Sequence, residues 1–119
     1  MRYTPEELQR KVQEVAGKYA GLPQENAAIK PSYLRSQIAM ALNTAMNDPE
    51  RHAVLAFLTG ESSTKKMPVP MLRALHRWLY PECAGGLEKP EYVDKKYVCS
   101  DTSIEEAVHI LDLIKKGEL

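Results

Sequence analysis

The chain has 119 residues, 44% of them apolar and 27% charged, and its basic and acidic side chains balance to a formal net charge of zero. That length is one globular domain, residues 1–119, which buries roughly 65% of its unfolded surface and so needs no metal or disulfide to fold. No apolar run nears the ~20 residues that span a bilayer, the neutral total argues against a tight autonomous nucleic-acid binder, and two cysteines, Cys83 and Cys99, are too few to define a disulfide scaffold.

The N-terminus, MRYTPEELQRKVQEV, turns acidic and amphipathic within a few residues, which is not the pattern of a secretory signal. The expected compartment is therefore cytoplasmic, where Cys83 and Cys99 are two free thiols more often than a pair.

A first helix starts at Thr4-Pro5. Threonine suits the cap, proline suits the first helical position, and Glu7 completes a capping box three residues on. Leu8, Val12, Val15 and Tyr19 then fall on one stripe, and Gly21 and Pro23 end the helix. After a connection over 24–30, Ser32 starts a second helix that buries Leu34, Ile38, Ala41, Leu42 and Ala45. Asp48-Pro49 is the cap and first position of a third, over 49–59. Its six consecutive apolar residues, AVLAFL, make it the expected central helix, and Gly60 is its left-handed stop.

A polar loop leads to a fourth helix over 70–79, bounded by Pro70 and Pro81. Leu72, Leu75 and Leu79 form its apolar seam, flanked by Met71 and Trp78. Arg73, His76, Arg77 and Tyr80 share the opposite face. Within the irregular stretch that follows, EYVDKKYVC repeats an aromatic–valine pair and leaves room for a small β-hairpin. A fifth helix is capped at Asp101, Thr102 or Ser103. Its acids lie in the first turn and its lysines in the last, the order a helix dipole favours. Ile104, Ala107, Val108, Leu111 and Ile114 are its expected buried face. The fold class is thus all-α: one five-helix domain with a central apolar helix and room for a hairpin between helices four and five.

Charge is unevenly spread. Residues 30–80 carry seven basic and three acidic side chains, and residues 81–119 carry five and nine. A basic middle and an acidic end can coexist at zero net charge. Lys65, Lys66, Arg73, His76 and Arg77 are the expected contacts to DNA or RNA, because cationic side chains neutralise phosphates without a special fold. The bland alternative is an ordinary solvated helix face. Trp78 and Tyr80 are the expected anchors if the partner is a protein, since aromatics and arginine are enriched at such interfaces; Trp78 could equally be a packing residue.

Other chemistry has little sequence support. His76, Cys83, Cys99 and His109 lack the close pairs of structural zinc sites. Thr59-Gly60-Glu61-Ser62-Ser63-Thr64-Lys65 lacks the second glycine of a phosphate loop and follows a helix, not a strand. No motif joins a nucleophile to a base and an orienting acid. No enzyme, cofactor or metal is therefore expected. The last helix can pack within its own chain or across a dimer.

Residues 51–79 carry Leu58-Thr59-Gly60, then Ser62-Ser63-Thr64-Lys65, then Leu72, Leu75, Trp78 and Leu79. This pattern resembles a helical module in some bacterial and phage recombination or single-strand-annealing proteins. There an apolar helix ends in a Leu-Thr-Gly-like turn, and a Ser-Ser-Lys-like loop leads to a helix ending in Leu-x-x-Trp-Leu. The resemblance covers about a quarter of the chain. It departs at Met67-Pro68-Val69-Pro70, and only about fifty residues lie upstream, so it implies a phage, mobile-element or DNA-metabolism setting and no annealing activity.

Overall fold

A computed structural model describes residues 2–23, 27–88 and 98–119. Among these there are five α-helices: α1 (Pro5–Ala20), α2 (Pro31–Asn43), α3 (Asp48–Thr59), α4 (Val69–Leu79) and α5 (Asp101–Lys115). A short 3₁₀ helix, Thr64–Lys66, and a 3₁₀-like segment, Pro81–Gly86, broken by left-handed residues at Ala84 and Gly85, add to the expected five, and no strand occurs among the described residues. The hairpin expected within 91–99 falls largely on residues 91–97, outside the described residues. No described helix is long and apolar enough to cross a membrane.

The helix starts follow from capping chemistry. Thr4 accepts the Glu7 N–H at 3.2 Å and the Glu7 carboxylate accepts the Thr4 N–H at 3.2 Å, which holds that carboxyl below its usual pKa. The same box recurs one residue earlier than expected at α3. Asn47, not Asp48, is the cap and exchanges hydrogen bonds of 2.9 Å with Glu50. Asp48 instead sits in the first turn, where it also favours the helix dipole. Gly60 ends α3 at φ +82°, as the sequence implies. Ser100 caps α5, just before the candidates at 101–103.

The core corrects the expectation of a central third helix. α3 buries only Val54, Leu55 and Leu58 of its apolar run. α4 buries seven of its eleven residues, because α1, α2, α5 and the Pro81–Gly86 segment all pack on it. Its polar side is covered as well as its leucine seam. α5 is rotated from its expected register: Ser103, Glu106 and Ile110 are buried with Ala107 and Leu111, while Ile104, Val108 and Ile114 are half-buried. Ala45 is exposed beyond the end of α2, and Met46 takes the core position.

Candidate anion-binding notch

The five cationic positions singled out in the sequence separate into three environments. Lys65 and Lys66 are exposed on the short 3₁₀ helix after α3, and Arg77 is exposed on α4. Arg73 and His76 are interior, at 1% and 0% exposure. The expected cationic face of α4 is therefore not formed. Arg73 and His76 are roofed by the loop before α2, by Gln37 of α2 and by the segment after α4, whereas Arg77 stays at the surface.

Arg73 is held by backbone. Its Nη1 donates to the Gly85 carbonyl at 3.1 Å and to the Ile29 carbonyl at 3.3 Å. Ile29 in turn donates its N–H to the Gly86 carbonyl at 2.9 Å. This closeness depends on glycine. Gly85 and Gly86 have φ of +72° and +86°, and a Cβ on Gly85 would lie 2.6 Å from the Tyr19 ring. Burial lowers the guanidinium's pKa from its ordinary value.

His76 lies 2.6 Å from Gln37 Oε1 through Nε2 and stacks on Tyr80, with ring centroids 4.9 Å apart. With Nε2–H donating to Gln37, the bare Nδ1 is buried and has no hydrogen-bond partner. A second proton would have nothing to donate to and would face Arg73. Burial first, then that arginine, push the pKa down to about 4.

The two aromatic candidates are also interior. Trp78 is 6% exposed and its indole N–H donates to Glu106 at 3.1 Å. Tyr80 donates its hydroxyl to the Gln37 carbonyl at 3.3 Å, and burial pushes its pKa up to about 12. Cys83 and Cys99 are free thiols; burial raises the first and pushes the second up to about 11. Neither is appreciably ionised near neutral pH, the condition that nucleophilic or metal-ligating thiols require.

A cationic cluster does form elsewhere. Arg51 and His52 on α3 meet Ser62, Ser63, Thr64 and Lys65 around a notch of about 260 Å³ floored by Leu55. Gly60 makes this possible by turning the chain back along the helix it ends. Glu61 accepts the Ser63 N–H at 3.0 Å and holds the loop's shape. Arg51 is tied to Asp48 at 3.1 Å and reaches His52 Nε2 at 3.2 Å, while its Nε is buried with no hydrogen-bond partner. Asp48 offsets part of the charge, so the notch is cationic but not strongly so. Of the cationic side chains lining the notch, the sequence pattern singles out Lys65 but not Arg51 or His52. Their signal was the four-residue return from Thr59 to Ser63, which folds the loop's hydroxyls back toward the α3 side chains.

No family model, curated protein or solved structure matches the chain.

Proposed function

We propose that the protein is a non-enzymatic binding module that contacts the phosphates of a nucleic acid through the Arg51–His52–Lys65 notch, with Lys66 beside it. The observation that carries this reading is the convergence of two permanent cations, a histidine and three hydroxyls on one concave surface. Such groups bind phosphate oxygens by charge and hydrogen bonding and carry no base-edge readout, so sequence preference is minor. The pattern over residues 51–79 supports a DNA-metabolism, phage or mobile-element setting.

The test is fluorescence anisotropy with labelled single- and double-stranded oligonucleotides. Binding is saturable at low salt and weakens with a log–log slope of roughly −2 to −3, as expected for about three phosphates. Arg51→Glu/Lys65→Glu abolishes it. The absence of binding at low salt, or binding unchanged in this variant, contradicts the proposal.

A second reading, a protein–protein adaptor, is favoured by a different observation. Tyr33 and Met40, seven residues apart on α2, are 65% and 67% exposed. Their spacing puts both on one face of α2, where the buried Trp78 and Tyr80 cannot serve. Replacing Tyr33 and Met40 with serine distinguishes the two readings, since it leaves oligonucleotide binding untouched.

A further inference from the structure

A second concavity lies between α1 and α4, roofed at one end by the N-terminal segment. Its volume is about 300 Å³, at the low end for small-molecule sites. The floor is apolar, formed by Leu8, Val12 and Val15 of α1 and Ala74 of α4, with the Trp78 indole as one wall. Three cations, Arg2, Lys11 and Arg77, line it together with these residues, and no acidic side chain does.

The walls are fixed from behind. Glu106 is 2% exposed and accepts the Trp78 indole N–H at 3.1 Å and the Tyr3 backbone N–H at 2.9 Å. Arg2 reaches the same carboxylate at 3.4 Å and Ser103 at 3.0 Å. One buried carboxylate therefore positions the indole wall and the N-terminal roof. Arg2 is engaged by it, and Lys11 is 3.8 Å from the exposed Glu14. Arg77 is left facing the cleft with no ion pair among the described residues. The combination is an apolar trough with a cationic lip.

We propose that this cleft binds a small amphiphilic carboxylate, with a short apolar tail on the α1–α4 floor and its carboxylate between Arg77 and Lys11. The charge at the lip selects an anion, and the small volume selects a short tail over a long acyl chain. The site is separate from the Arg51–Lys65 notch, so either can fail without the other.

Trp78 is the chain's only tryptophan and forms a wall of the cleft, so its emission reports occupancy directly. The probe is octanoate, titrated into the full chain to millimolar concentration, with octanol as the uncharged control. The expected result is a saturable change in Trp78 emission with octanoate that weakens about tenfold in Lys11→Gln/Arg77→Gln, while octanol responds equally in both proteins. Both substituted side chains are on the surface, and helical circular dichroism confirms that the variant is folded. No saturable change with octanoate, or octanoate binding unaltered in the variant, overturns the proposal.

Discussion

Arg73 Nη1 sits 3.1 Å from the Gly85 carbonyl oxygen, inside the protein. A guanidinium expected to face a partner instead fastens the loop before α2 and the segment after α4 to the central helix. Arg73→Met removes these donors at similar bulk and leaves the carbonyls of Gly85 and Ile29 short of a partner. The expected loss is about 2–4 kcal/mol of unfolding free energy. Lys65→Met and Lys66→Met change surface positions and stay within about 0.5 kcal/mol. Urea unfolding followed by circular dichroism measures all three, and equal losses would contradict the interior role of Arg73.

His76 makes stability fall in mild acid. Its pKa is about 4 in the folded chain against an ordinary 6.5, so the unfolded chain binds the extra proton between those values. The contribution is fully present above 6.5, is lost as pH falls toward 4, and is flat below that. Its size is at most about 3 kcal/mol. Unfolding curves across this window check it, and His76→Gln should flatten the dependence.

Two glycines with the same backbone sign should respond differently to alanine. Gly60 has φ +82° and open space around its Cβ position, so only backbone strain is added, about 1–2 kcal/mol. At Gly85 the methyl would also meet the Tyr19 ring at 2.6 Å, adding overpacking of about 1–3 kcal/mol. Thermal unfolding of the two variants should rank Gly85→Ala clearly below Gly60→Ala.

These comparisons mark what the sequence could and could not carry. Local signals were legible: the Thr4–Glu7 box, the Leu8–Val12–Val15–Tyr19 stripe and the Gly60 stop depend on residues within one or two turns. The environment of α4 was not. Its periodicity separates Leu72, Leu75 and Leu79 from Arg73 and His76, but an amphipathic pattern does not say what covers the polar side. That depends on Gln37, on Ile29 and on two glycines that let a distant segment approach. AVLAFL misled in the opposite sense, since Ala56 is exposed and Phe57 only half-buried on a helix at the edge of the core. The notch joins α3 to the loop that follows it, so half of it was visible at Lys65. Arg51 and His52 required knowing how tightly Gly60 turns the chain.

Glu106 is predicted to matter beyond its place on α5. Glu106→Ala leaves the Trp78 indole and the Tyr3 N–H without their acceptor, at an expected cost of about 2–4 kcal/mol. Trp78 emission should shift to the red as water reaches the indole. Stability and emission unchanged from the parent would show that this carboxylate does not hold the N-terminal segment.

The central claim is that contact with a polyanion is made by the α3–loop notch and not by α4. Amide chemical-shift mapping during titration with a short single-stranded oligonucleotide at low salt tests it most directly. The account predicts shifts concentrated at Arg51, His52 and residues 62–66, with little change through residues 71–76. Shifts centred on residues 71–80 with a silent loop, or no shifts at all, would contradict it.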